Sequence, residues 1–169
     1  MKQSGITIGA ALIASMFALG LGASANAASN AKDEAAIKSD EQKIMDASNA
    51  DEVMKYYDGK NIVFFDFVPP AEYKGAKAVH ADLDNFFNNA SDVKGEFLDI
   101  GVVTDGKMGV AYSVQHFTWK GKDGKAQEGN FRVTDVYRKE GGVWKVIHSH
   151  VSVPVDPATG KPDMAAKVS

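Results

Sequence analysis

His148-Ser149-His150 places two imidazoles two residues apart in a β-branched run, and alternate residues of a strand share a face. Such a pair can transfer protons, bind a ligand or chelate a metal. Chelation needs at least a third donor. His80, His116 and Asp66 are available, but their spacing matches no recognised metal signature. The same histidines also fit a hydrogen-bonded core. Asp66 is the second candidate, set among Ile62, Val63, Phe64, Phe65 and Phe67, where an acid is expensive to bury without a partner. Either it lines a cavity with a raised pKa, as a base for proton abstraction, or it ends the strand and caps the Pro69-Pro70 turn.

Arg132 and Thr134 share one face of a strand. On a pocket face Arg132 would anchor a carboxylate or pair with Asp66; on the other face it is an ordinary solvated arginine. Trp119 and Tyr73 could form aromatic walls, or pack in the core. Other chemistries lack their residues. There is no Cys, hence no thiol nucleophile, disulfide, thioether-linked haem or iron–sulfur cluster. No Ser sits in a G-x-S-x-G elbow, and no Gly-rich phosphate loop or dinucleotide fingerprint occurs. No cofactor is expected.

The elements that must position these groups fall into two halves. Residues 33–57 have helical spacing, with Ala36, Ile37, Ile44, Met45, Val53 and Tyr57 available for burial. Ser48-Asn49-Ala50-Asp51 predicts a break into two helices, with Ser48 or Asn49 as the second N-cap. Residues 61–67 read as a buried strand ended by Pro69-Pro70, and residues 76–88 as an amphipathic helix. Four long strands follow, at about 94–104, 107–120, 126–139 and 143–154, separated by short Gly-containing turns. Helices first and hairpins after give an α+β class, with helices against one face of an antiparallel meander. Both parities of residues 143–154 carry apolar side chains, so both sheet faces should be covered, the second by another copy of the chain. The tail, residues 155–169, is polar and Pro/Gly-bearing, and reads as disordered.

The first 27 residues carry an early Lys2, an uncharged, mostly apolar run of 16 residues from Ile6 to Leu21, and an Ala25-Asn26-Ala27 ending. That is the layout of a cleaved signal peptide, and the run is shorter than the roughly 20 residues that span a bilayer. The expected address is periplasmic or secreted. Removing residues 1–27 takes one cation from a chain of net charge −3, leaving −4 on 142 residues, enough for one domain, residues 28–154. A mildly acidic chain without a basic stripe argues against nucleic acid or an anionic membrane as partner. A small-molecule ligand and a homodimer are the expected partners.

The ending Arg132-Val133-Thr134-Asp135-Val136-Tyr137-Arg138, the Gly141-Gly142 turn, and Trp144-Lys145-Val146-Ile147-His148-Ser149-His150-Val151-Ser152 resembles that of SnoaL-like proteins. These form a branch of the nuclear transport factor two-like superfamily; the association domain of calmodulin-dependent kinases ends similarly. The resemblance implies a cone-shaped α+β barrel, a curved sheet wrapped round helices and open at one end, with the outer sheet forming a dimer. It implies a cavity receiving Asp66, His80, Trp119, Arg132, His148 and His150. Some members are isomerases, cyclases or dehydratases acting through one carboxylate base, and others only bind ligands or assemble. On this reading Asp66, His150 and His148 are the catalytic set, and Tyr73, His80, Trp119, Arg132 and Thr134 hold the ligand.

Overall fold

In the computed structural model, which describes residues 18–169 and side chains from residue 29, the elements run α1 (Ala18–Met45), α2 (Ala50–Met54), β1 (Val63–Phe65), β2 (Tyr73–Lys74), α3 (Ala76–Asn89), β3 (Ala90–Thr104), β4 (Met108–Gly121), β5 (Ala126–Glu140) and β6 (Val143–Ser152). The Gly turns do what their composition predicts. Gly106, Gly124, Gly141 and Gly142 all take positive φ, and β3 to β6 follow one another as an antiparallel meander. β1 then adds parallel to the free edge of β6, and the two-residue β2 pairs outside it, giving the order β2-β1-β6-β5-β4-β3. The parallel β1–β6 pairing brings Asp66, just past the end of β1, to the same sheet end as the last residues of β6.

The inner face of this sheet packs on the helices. Along α1, Asp33, Ile37, Glu41 and Met45 recur every four residues, and all four are buried. The break after Met45 occurs where expected. Asn49 caps α2, its Oδ1 accepting from the Glu52 amide at 3.0 Å, while the Glu52 carboxylate accepts from the Ser48 amide at 2.7 Å. α3 turns Val79, Leu83 and Phe87 towards the core. The centre holds Ile37, Val53, Ile62, Val79, Val146 and Trp144, each aliphatic side chain contributing about 1.5–3 kcal/mol by its removal from water. Asp33 pins the helix to the sheet, accepting from Lys139 Nζ at 2.6 Å and Trp144 Nε1 at 3.4 Å. The Lys139 bond, foremost, holds its carboxyl below the usual range.

At the N-terminal end, residues 28–32 lie within α1, which runs without interruption through Ala27 and Ala28. The charged and apolar parts of the signal pattern lie largely outside the described residues. The tail is not loose. Asn130 donates from its backbone to the Met164 carbonyl at 2.8 Å and from its side chain to the Ala166 carbonyl at 2.9 Å, and Val155 bridges Pro162. The cause is a strand-length mismatch: β6 pairs with β5 only as far as Arg132–Ser152, so the first part of β5 is left with free backbone donors.

Candidate functional site

One extra residue decides which side chains enter the cavity. On β5 the odd positions Phe131, Val133, Asp135 and Tyr137 face inwards and are buried, so Arg132 and Thr134 face outwards. On β6 the inward residues are at first Trp144 and Val146. The ladder then passes from Tyr137–Val146 to Val136–His148, leaving Ile147 as a bulge. Beyond it the parity reverses: Ser149 and Val151 face inwards, and His148 and His150 outwards. His148 and His150, which the resemblance to SnoaL-like proteins would place in the cavity, therefore lie on the outer face.

The outer residues form their own set. His148 Nδ1 lies 2.9 Å from the Val63 carbonyl, and the Phe65 ring packs edge-on against both His148 and His150. Arg132 donates to the Val153 carbonyl at 3.1 Å, and Thr134 sits opposite His150 in the register. His80, on α3, lies 2.8 Å from Asp51 and 2.9 Å from Asp84, and the Asp51 bond, foremost, raises its pKa. It braces α2 against α3 and does not line the cavity. His116 Nδ1 is 2.7 Å from Asn130 Oδ1. The donors considered for a metal are thus dispersed, and among the described residues no group of three or more is placed to hold an ion.

Between the helices and the inner sheet face lies a cavity of about 190 Å³. That is somewhat more than the ~150 Å³ cavity known to take benzene, so a substituted ring fits. Its apolar wall includes Phe64, Leu83, Phe87, Phe117, Phe131 and Val133; Trp119 lines it as expected. Asp66 lines it too. The Phe67 amide donates to Asp66 Oδ1 at 2.7 Å, yet burial pushes this carboxyl up to about 6, with nearby Asp82 adding to the rise. Asp82, also on the wall, is raised chiefly by burial. Tyr73 stands behind the wall, its hydroxyl bonded to Asp82 and 3.4 Å from the Pro69 carbonyl.

At the cavity's inner end is a polar group that the sequence pattern did not single out. Glu41, 2 % exposed, accepts from the Tyr137 hydroxyl at 2.7 Å. Burial and the neighbouring Asp135 push it up to about 9. Asp135, 3 % exposed, is itself raised to about 6 by burial, although Ser149 and Glu41 both hydrogen-bond it. The two acids hold one proton between them at neutral pH, on Glu41. Asp135 Oδ1 has no hydrogen-bond partner, although Asp135 lines the cavity. Tyr57, buried and bonded to Ser149, completes the end wall, its hydroxyl pushed up by burial. The signals were present: Asp33-Ile37-Glu41-Met45 is an apolar stripe carrying acids, and Asp135 lies in phase with Phe131, Val133 and Tyr137.

Residues 41–156, more than half of the chain, match the SnoaL-like domain family. The chain belongs to that family. Its SnoaL-like fold is shared with a solved NTF2-like protein of unknown function from Pseudomonas putida KT2440, 26% identical, covering 82% of this chain and 98% of that one with a TM-score of 0.73. A nuclear transport factor 2 (NTF2-like) superfamily protein from Salmonella enterica is 18% identical over 75% of this chain and 94% of its own, TM-score 0.65. A ketosteroid isomerase-like protein from Erwinia carotovora atroseptica is 18% identical over 70% and 93%, TM-score 0.61. No curated protein matches the SnoaL-like chain.

Proposed function

We propose that this protein is an exported, cofactor-independent acid–base enzyme of the isomerase, cyclase or dehydratase type, acting on a small ring-bearing carbonyl compound. Asp66 is the base. It takes a proton from the carbon beside the carbonyl, and the electron pair moves to the carbonyl oxygen. The Glu41–Asp135 pair is the acid. The pair's single proton moves from Glu41 to Asp135, which donates it to the developing oxyanion, so charge is never isolated in the apolar cavity. The observation that carries this reading is that Asp66, its carboxyl raised to about 6, and Asp135, which shares a proton with Glu41, line one largely apolar cavity. A purely ligand-binding module would have its polar groups mutually satisfied. The same fold carries a ketosteroid isomerase-like protein, which agrees with this reading.

The test is hydrogen–deuterium exchange of 2-indanone in D2O, followed by proton NMR. Exchange faster than buffer, lost in Asp66→Asn, supports the enzyme; exchange equal in the two proteins removes it.

Export rests on the signal pattern of residues 1–27. When the full chain is expressed in a Gram-negative host, the protein released by osmotic shock should have the mass of a chain starting at Ala28. A full-length mass in the cytoplasmic fraction would refute it.

A homodimer through the outer sheet face is the remaining proposal. Tyr112 is 49 % exposed with its ring over Gly101, and Leu98 and Val103 are exposed on the neighbouring strand. Tyr112→Glu would put a charge at the centre of such an interface, and sedimentation should show a dimer in the wild type and a monomer in the variant. A monomeric wild type contradicts the proposal.

A further inference from the structure

The cavity wall carries acids and no cations. Among the described residues lining it, none is Lys, Arg or His, whereas three are Asp: Asp66, Asp82 and Asp135. Arg132, the cation expected to anchor a carboxylate, lies on the opposite sheet face. An anionic ligand would enter a cavity with no counter-charge and several carboxylates, at a Coulombic cost that low dielectric magnifies. The acids themselves have no cation in the wall to pair with.

The aromatic rings are arranged around these acids. Phe67 follows Asp66 in the chain, and Phe86 lies one turn after Asp82 on α3, so each acid has a ring beside it. Both rings line the cavity yet are 43 % and 39 % exposed, which places them at its mouth. Phe67 packs on Phe131 at 4.8 Å between centroids, and Phe131 in turn meets Trp119 at 6.4 Å, giving a continuous aromatic wall inwards from the mouth. Carboxylates and aromatic rings lining one cavity form a site for an organic cation, since a ring face presents negative charge density to an ammonium.

We propose that the cavity binds an organic ammonium ion, its charge seated between Asp66 and Asp82 and its ring against Phe67, Phe131 and Trp119. This rests on the reading of the cavity as the functional site, and it narrows the ligand of that site to a small ring-bearing compound that carries an ammonium group. It does not require the site to be catalytic.

Three isosteric probes test it by calorimetry at pH 7.5: benzylammonium, benzyl alcohol and benzoate. Benzylammonium should bind about tenfold more tightly than benzyl alcohol, with benzoate weakest. In Asp82→Asn the ammonium-to-alcohol affinity ratio should fall towards one, and an unchanged circular dichroism spectrum shows that the variant is folded. Should Asp82→Asn fail to fold, Asp82→Glu takes its place, and it should retain a preference for the ammonium. Benzyl alcohol or benzoate binding as well as the amine overturns the proposal, as does an unmoved ratio in folded Asp82→Asn or the absence of saturable benzylammonium binding. Amine preference without indanone exchange would keep this inference and remove catalysis; exchange without amine preference would do the reverse.

Discussion

Asp66→Asn is expected to lower the rate of catalysed exchange by about 10²–10⁴-fold, the range that a positioned general base contributes. The same substitution should leave the melting temperature at pH 7.5 unchanged or raised. The sign follows from the environment. Folding lifts this carboxyl from its ordinary 3.8 to about 6, so its ionised form is less favourable in the folded state than in the unfolded one. Its contribution to stability is therefore present below about pH 4 and lost as pH rises through about 6. A neutral amide escapes that loss. A residue kept for packing would show the opposite pairing, with stability lost and little change in rate. The wild-type rate should rise with pH through about 6 as the base loses its proton, and the residual rate of the variant should lack that limb. The indanone exchange rate, measured from pH 4.5 to 8, checks both statements.

Glu41→Gln is expected to make the protein more stable above neutral pH and to flatten its stability profile. Glu41 moves from an unfolded value of 4.5 to about 9 on folding, because burial and the Asp135 charge oppose its ionisation. Its stabilising contribution is complete below about pH 4.5 and lost as pH rises through about 9, at a slope of at most about 1.4 kcal/mol per pH unit. Glutamine keeps the geometry: its oxygen can accept from Tyr137 and its amide can donate to Asp135, with no proton to lose. Urea unfolding at pH 5, 7 and 8.5 should show a falling series for the wild type and a shallower one for the variant. Glu41→Leu is the control. It leaves the buried Tyr137 hydroxyl and Asp135 without that partner and should cost about 3 kcal/mol at any of these values. A wild type whose stability rises from pH 5 to 8.5, with Glu41→Gln unchanged, would show that Glu41 is ionised in the folded protein.

How much of this could be read from the chain varied with the range of the interaction. Asn49 as a cap, the Gly turns between long strands and the helix at α3 are local matters, decided by residues within a few positions, and the structure has them where the sequence placed them. The side of the sheet on which a residue falls is not local. Alternation along β6 is broken at Ile147, and nothing about an isoleucine among β-branched neighbours marks it as unpaired. That one residue moved His148 and His150 from the expected cavity to the outer face and brought Ser149 in. Whether Arg132 and Thr134 face the pocket is settled by the apolar phase of Phe131, Val133 and Tyr137, which turns inwards, carries Asp135 with it and leaves Arg132 and Thr134 outside. Glu41 was legible in principle, since its i±4 neighbours Ile37 and Met45 are apolar, but an acid on a helix is ordinarily solvated. The cavity needed the parallel pairing of β1 with β6, a contact across some 85 residues that no local pattern encodes.

The proposed chemistry stands on a cavity that keeps an unpaired base at one wall and a shared proton at its inner end. Both states are visible in a carboxyl-carbon NMR titration of protein labelled at Asp and Glu side chains, with Asp66→Asn and Glu41→Gln used to assign the two signals. The Asp66 signal should inflect near pH 6, and the Glu41 signal should remain that of a protonated acid at pH 7. Inflections of both signals near pH 4, as for solvated carboxylates, would contradict such a cavity.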